Sequence, residues 1–422
     1  MASIELDMIQ TAGIGAMALL VGMVLTRKVA FLQKFCVPSP VSGGIIFSLV
    51  TLALYGWFDL EVSFDGTMKD FFMLAFFTSV GFQSDLKVIK KGGKLLVVML
   101  VLLIAVITVQ NLMPLGITRI MDVDPLIGMA AGSISMTGGH GTAGGFASVL
   151  ERMGLQGAGT IGMAAATFGL IAGSMVGGPL AEKIIRTKLT HEQVQQDEEI
   201  DPAMAGIESD EASPTGRAKR VSSNEQEFQQ YAKAFYCIIF VMGGGTIMSW
   251  LFAKTGITFP TYFGALILAA FVRNTIGFIS YKENGKWKKA EKLLDMERIV
   301  SVGNICLSLF LGMAMISLKL WELQNLALPL IVILISQVIM MALFAYIVAF
   351  PLLGRDYDAA VLCAGMCGFG LGATPNAMAN MSAVCYKYHY TVKPFLIVPI
   401  SGAMFADFIN TGIITLFLNM KI

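Results

Sequence analysis

Uninterrupted apolar runs of about 18 residues or more recur along nearly the whole chain, each long enough as a helix to cross the roughly 30 Å hydrocarbon core of a bilayer. A backbone in lipid must satisfy all its N–H and C=O groups internally, which leaves helices or a closed barrel. These runs are continuous rather than alternating, so they read as helices. Of 422 residues, 55% are hydrophobic and 14% charged, against roughly 25% charged in soluble domains. The net charge of +1 leaves no basic footprint, and nucleic acid drops out as a partner. The six cysteines, Cys36, Cys237, Cys306, Cys363, Cys367 and Cys385, form no CxxC pair. Neither a zinc site nor a disulfide framework is suggested.

The runs place about ten spans near 11–26, 41–58, 71–86, 95–113, 160–185, 234–253, 260–280, 299–318, 326–350 and 394–418. Acidic Glu5 and Asp7 precede the first run and no small-residue cleavage site follows; it reads as a retained span, not a signal peptide. Loops at Arg27-Lys28, Lys87 to Lys94, Lys183 to Lys188 and Lys282 to Lys292 are basic, whereas Asp59 to Asp65 and Asp122 to Asp124 are acidic. The positive-inside rule then puts both termini in the periplasm and the stretch 186–233 in the cytoplasm. That stretch, with Asp197, Glu208, Asp210 and a basic run from Arg217 to Arg220, has a linker's composition.

Two further apolar segments, 125–152 and 359–387, carry central glycine clusters. The parity of their flanking loops requires each to enter and leave on one side, as a re-entrant hairpin. Landmarks of the first half recur in order in the second. Pro38 to Gly44 matches Phe259 to Gly264, Phe71 to Phe77 matches Leu307 to Met313, Gln110 matches Gln337, and Asp124 to Gly132 matches Asp358 to Gly365. With five spans per copy the second copy lies inverted. The expected architecture is an all-α polytopic protein: a first repeat at 1–185, a cytoplasmic linker at 186–233 and a second repeat at 234–422. Inverted repeats with broken helices are the layout of secondary transporters, with sites near the midplane.

The first cluster runs from Ser133 to Gly145 and the second from Gly365 to Ala377. Each is expected to break a helix and restart it, the first at Thr142 and the second at Thr374-Pro375. Two half-helix N-termini would then present free N–H groups and partial positive charge, which suits carboxylates. Glycines that merely permit close helix packing are the plainer alternative, but packing does not require Ser, Thr, His and Asn at equivalent places in both clusters. No lysine follows the glycines, so a phosphate-binding P-loop is not indicated.

Asp407 is the clearest ionisable residue within a span, and Asn410 lies three residues on, on the same helix face. Together they offer hard oxygen ligands for Na⁺, with a purely structural ion pair as the alternative. Asn304, Gln110 and Gln337 either line the path or hydrogen-bond between helices. His140 either meets a substrate carboxylate or holds its loop. Intramembrane proteases are excluded by the lack of GxSG, GxGD and HExxH patterns, and no enzyme activity is expected. A channel would not need inverted halves with paired breaks.

Gly138-Gly-His-Gly-Thr142, Asp356-Tyr-Asp-Ala-Ala-Val361, Cys367-Gly-Phe-Gly-Leu-Gly-Ala-Thr-Pro375 and Leu318-Lys-Leu-Trp-Glu-Leu323 resemble the bacterial sodium/glutamate symporter family over nearly the whole chain. The resemblance implies an inner-membrane carrier of L-glutamate coupled to Na⁺, without a cofactor, working as an elevator-type homodimer in lipid. It implies substrate contacts from Ser135, Thr137, Gly138, Gly139, His140, Gly141 and Thr142 in one loop and from Gly370, Gly372, Thr374, Pro375 and Asn376 in the other. Sodium would be held by Asp407, Asn410 and Asn304. The alternatives are a sodium-coupled carrier of another organic anion, such as a hydroxy-, di- or tricarboxylate, or a cation/proton antiporter. The absence of arginine from both clusters argues against a tricarboxylate, and the absence of an acid from both argues against an antiporter.

Overall fold

The computed structural model describes residues 2–86, 93–190, 217–278, 280–283, 286–289 and 294–420. Strand β1 (Ala2–Leu6) leads into α1 (Met8–Lys28), whose N-terminus is closed by a reciprocal cap between Asp7 and Gln10. A short α2 (Ala30–Lys34) and α3 (Ser39–Phe58) follow, and Asp59 ends α3 in the left-handed conformation. Strand β2 (Leu60–Phe64) pairs in parallel with β1, Ala2 against Leu60 and Leu6 against Phe64. Helices α4 (Thr67–Gln83) and α5 (Gly93–Ile120) come next. A short α6 (Pro125–Ala130) is capped by Asp124; a stretch of turns separates it from α7 (Gly139–Arg152) and the long α8 (Ala158–Lys188).

The second half begins with α9 (Arg217–Ala253) and α10 (Phe263–Thr275), the latter prolonged by one 3₁₀ turn to Phe278. Strands β3 (Ser280–Glu283) and β4 (Lys286–Lys289) form an antiparallel ribbon ahead of α11 (Met296–Ile316). A 3₁₀ segment, Leu320–Leu326, joins it to α12 (Ala327–Phe344), which runs through a π-helical stretch at Ala345–Ala349 into α13 (Phe350–Leu353). Helices α14 (Tyr357–Leu371) and α15 (Thr374–Lys387) precede α16 (Lys393–Pro399), a π-helical stretch at Ile400–Phe405 and α17 (Ala406–Asn419).

The helical, multi-span character expected from the sequence is found, with two small strand ribbons that an all-α reading does not include. The span count differs. Among the described residues seven helices are long and apolar enough to cross a bilayer, or eight if the pair bent by 41° around 403–405 is one span. The expected spans at 71–86 and 260–280 fall on helices of 17 and 13 residues. Helix α4 ends at Gln83, where the Ser84 N–H turns back to the Gly81 carbonyl, and α10 gives way after Thr275 to a single 3₁₀ turn. At the centre of the chain α8 ends at Lys188 and α9 starts at Arg217, so helix enters the expected linker from both ends. Its middle, 191–216, lies outside the described residues, as does most of the basic loop at 87–92.

Two groups of helices pack together. In the first, α1 crosses α3, and α9 crosses α10, each through paired glycines. A Cβ on Gly22 would lie 1.8 Å from the Ser39 carbonyl oxygen and one on Gly43 1.8 Å from that of Ala18; one on Gly264 would lie 2.3 Å from the Gly245 carbonyl oxygen. Backbone-to-backbone contact of this kind is how helices associate where lipid removes the hydrophobic drive. Helices α4, α9, α10 and α11 close around Ala75, Phe82, Ile238, Val241, Ala269, Ile299 and Val302. In the second group α14 and α15 pack antiparallel along their length. Gly368 meets Ala377, Gly365 meets Met381, and the Tyr357 hydroxyl donates to the His389 carbonyl at 2.7 Å. Leu20, Val101, Ile104, Phe240, Ile331 and Ile335 face outward, as lipid-facing positions do.

Candidate functional site

The two glycine clusters meet. Gly139 and Gly372 are so close that a Cβ on Gly139 would sit 3.2 Å from the Gly372 carbonyl oxygen. Gln110, fully buried on α5, holds them in register: its Nε2 donates to the Gly370 carbonyl at 2.6 Å, and its Oε1 accepts from the Thr137 hydroxyl at 2.6 Å. Gln337 on α12 donates in turn to the Gln110 carbonyl at 2.8 Å. Both glutamines therefore serve interhelical hydrogen bonding, one of the two roles the sequence allows.

Between the clusters lies a cavity of about 360 Å³, within the size range of small-molecule sites. Thr137, Gly138, Gly139, His140, Gly141, Thr142, Gly372, Thr374, Pro375, Asn304 and Asp407 line it, and neither lysine nor arginine does so among the described residues. Gln83, Phe76, Val80, Leu170, Leu307, Leu311 and Phe369 also line it and are absent from the sequence-based set. Their signal was spacing: Phe76, Val80 and Gln83 occupy one face of α4, and Asn304, Leu307 and Leu311 one face of α11.

Three expected substrate residues stand behind the cavity wall. The Ser135 hydroxyl donates to the carbonyls of Ala130 and Gly162, the latter at 2.9 Å. Gly370 contributes the carbonyl that Gln110 and Thr137 share. Asn376 is buried, its amide donating to the Leu170 carbonyl at 2.9 Å, to Ser174 and to the Phe35 carbonyl at 3.4 Å. Asn410 is likewise buried and donates to the Ser133 carbonyl at 2.9 Å.

Helix α7 starts at Gly139, three residues before the expected restart, because Gly138 takes the N-cap without a side-chain bond. The N–H of Thr142 is already bonded to the Gly138 carbonyl. The N–H groups of Gly139, His140 and Gly141, in the first turn, keep no partner within the helix. At α15 the N-cap is Ala373, and the N–H groups of Asn376 and Ala377 both bond to its carbonyl. Thr374 is left as that tip's free donor, since Pro375 has no N–H. The two tips are thus unequal, and α7 supplies most of the free N–H donors.

The Asp407 side chain reaches the cavity from the first turn of α17, just after the π-helical stretch. Its carboxyl faces the Thr142 hydroxyl, which closes no hydrogen bond with standard geometry. A Cβ on Gly138 would lie 2.5 Å from Thr142 Cβ and 2.7 Å from Asn410 Nδ2, so Thr142 and Asn410 flank one glycine. Asn410 Oδ1 is also buried without a partner. Hard oxygen atoms of this kind are what a hard cation can use. Groups of three or more His, Cys, Asp and Glu that would hold a transition metal are absent among the described residues. His140 Nε2 pairs with the Thr167 hydroxyl at 3.0 Å, which fixes the ring at the cavity edge.

Residues 4–390 match the family model for the sodium/glutamate symporter. The chain belongs to the sodium/glutamate symporter family. It is 36% identical to the sodium/glutamate symporter of Escherichia coli (strain K12) over 420 residues, 99% of each chain. To that of Haemophilus influenzae (strain ATCC 51907 / DSM 11121 / KW20 / Rd) it is 35% identical over 406 residues, 96% of this chain and 95% of the relative. The symporter is a multi-pass membrane protein of a transport family; the two glycine tips lie inside the matched length, whereas Asp407 follows residue 390 in the last helix.

Proposed function

We propose that this symporter carries L-glutamate together with Na⁺ into the cell across the inner membrane. One observation carries the reading: two half-helix N-termini and the Asp407 carboxyl, faced by the Thr142 hydroxyl, open onto one cavity that neither lysine nor arginine lines among the described residues. Substrate is bound by Thr137 to Thr142 and by Gly372 to Pro375, with Ser135, Gly370 and Asn376 shaping the tips from behind. One carboxylate of glutamate meets the N–H groups of Gly139, His140 and Gly141. Sodium is held by Asp407 and Asn410, with Thr142 as a further ligand and Asn304 across the cavity as the remaining candidate. Glutamate has a net charge of −1, so at least two Na⁺ per substrate are required for the membrane potential to assist uptake; each net charge moved is worth about 2.3 kcal/mol per 100 mV.

The chain is organised as inverted repeats at 1–185 and 234–422 joined by a cytoplasmic linker at 186–233, with periplasmic termini and with 125–152 and 359–387 as re-entrant hairpins. The packing supports this reading. Equivalent residues touch, Gln110 with Gln337 and Gly139 with Gly372. The α1–α3 and α9–α10 glycine crossings correspond, and Thr142 beside Asp407 in one copy corresponds to Asn376 beside Ser174 in the other. Helices α1, α3, α4, α9, α10 and α11 form the scaffold of an elevator, which dimerises in the lipid, and the hairpins with α5, α8, α12 and α16–α17 form the moving body. Labelled glutamate uptake into proteoliposomes, with Na⁺, K⁺ and pH gradients imposed separately, tests the function. Uptake driven by the Na⁺ gradient alone supports it; uptake driven by the pH gradient with Na⁺ absent overturns it. Citrate, malate and aspartate as competitors separate the organic-anion alternatives.

A further inference from the structure

Glutamate has two carboxylates, and the free N–H groups at the start of α7 form one donor cluster. The wall opposite the tips is largely apolar, with Phe76 and Val80 on α4 and Leu307 and Leu311 on α11. Phe76 and Leu307 abut the tip itself, since a Cβ on Gly141 would lie 3.3 Å from Phe76 Cε1 and 3.8 Å from Leu307 Cδ1. Further along the same face of α4 comes Gln83, about 10 Å from Phe76 along the helix axis at 1.5 Å per residue. Gln83 is part of the cavity lining. Its hydrogen bond within the protein is a long one, 3.4 Å from Nε2 to the Ser79 carbonyl of its own helix. An amide that spends so little of its donor capacity on the protein, at the end of an otherwise apolar face, is placed for a ligand.

Gln83 is also held firmly. It is the last residue of α4, and the turn after it is tied to α10: Arg273 pairs with Asp85 at 2.8 Å, Asn274 Nδ2 donates to the Ser84 carbonyl at 2.7 Å, and the Leu86 N–H donates to Asn274 Oδ1 at 2.9 Å. Both members of the ion pair are largely buried, so the lock costs desolvation that a mere loop contact would not call for. It fixes where the α4 terminus points its last side chain.

Resting on the glutamate reading above, we infer that Gln83 is the residue that recognises the substrate's side-chain carboxylate and so sets chain-length specificity. The amino-acid end lies at the tip, its carboxylate on the free N–H groups of Gly139, His140 and Gly141. The methylenes cross the Phe76–Leu307 surface, and the γ-carboxylate accepts from Gln83 Nε2. Aspartate, one methylene shorter, cannot reach both ends without leaving a donor unpaired.

The test is uptake by purified wild type, Gln83→Ala, Gln83→Asn and Gln83→Glu in proteoliposomes, with glutamate, aspartate and glutamine as substrates, each variant checked for folding by its melting temperature. Gln83→Ala is expected to raise the glutamate KM roughly 10- to 100-fold, the worth of one hydrogen bond to a charged group, with the Na⁺ activation curve unchanged. Gln83→Glu exchanges a donor for an acceptor and is expected to move kcat/KM from glutamate toward glutamine, whose amide can donate. If Gln83→Ala does not fold, Gln83→Asn and Gln83→Glu give the same comparison. Glutamate KM within about twofold of wild type in the folded variants, or a shift confined to the Na⁺ curve, overturns the inference while leaving the transport reading intact. Wild type that carries no glutamate overturns the transport reading itself.

Discussion

The buried link between the tips has an unequal response to mutation. Gln110 bonds both Thr137 and the Gly370 carbonyl, and Thr137 also approaches that carbonyl at 3.3 Å. In Gln110→Leu the Thr137 hydroxyl and the Gly370 carbonyl are left facing each other and can close their own bond. The loss should be about 1 kcal/mol, in the range measured for hydrogen bonds between membrane helices. In Thr137→Val the fully buried Gln110 Oε1 loses its partner, and an orphaned buried acceptor costs about 1–3 kcal/mol. The smaller side chain should therefore be the more costly one to change, at about 2 kcal/mol. The double variant removes that orphan and leaves the Gly370 carbonyl in its place, for about 2 kcal/mol in all and a coupling of about 1 kcal/mol. Denaturant or thermal unfolding of the four proteins in one detergent gives the cycle. Additive losses within about 0.3 kcal/mol, or Gln110→Leu clearly the worse single variant, would refute the shared-acceptor network.

Other expectations follow from packing and charge. A Cβ on Gly145 would lie 2.5 Å from Tyr262 Cε1 and 3.2 Å from Phe77 Cε2, in the stacked pair that supports α7. Gly145→Ala should cost about 1–3 kcal/mol by overpacking, and an unchanged melting temperature would show that α7 has room to move. In the 3₁₀ segment after α11, burial raises the Glu322 carboxyl above its ordinary 4.5, with Lys319 opposing and Glu151 and Glu61 adding to the shift. A raised folded pKa makes its contribution to stability full below pH 4.5 and lost as pH rises through the folded value. Glu322→Gln should therefore raise the melting temperature at neutral pH, and the difference from wild type should vanish below pH 4.5. Stabilisation that persists at low pH would point to packing rather than charge.

The helical, multi-span character and both glycine breaks could be read from the sequence because apolar length and glycine density are local properties; the number of spans could not. The helix start at Gly139 could not, since a glycine N-cap carries no capping side chain to announce it. Ser135, Gly370 and Asn376 share a motif with the cavity residues, but their groups are turned to the carbonyls of neighbouring helices. That direction is set by tertiary packing, which spacing within one segment does not encode. Gln83 was missed for the converse reason: at the end of an apolar run it resembles an interfacial residue, and its place in the site exists only once α4 and the tips are brought together. Asp407 was found because a carboxylate inside a span is costly wherever it points. The unpartnered oxygens of Thr142 and Asn410 beside it were not visible, being a matter of hydrogen-bond supply across three helices.

The most direct measurement of the central claim is the Na⁺ activation curve of glutamate uptake in Asp407→Asn against wild type, in proteoliposomes with matched protein content and melting temperature. Replacing the carboxylate by an amide of nearly the same shape keeps Thr142 and Asn410 in place and removes the one formal charge beside them. The expected result is uptake that no longer responds to Na⁺ over the range that saturates wild type, with the fold retained. An unchanged Na⁺ activation curve in a folded Asp407→Asn protein would place the coupling ion elsewhere and contradict the site described above.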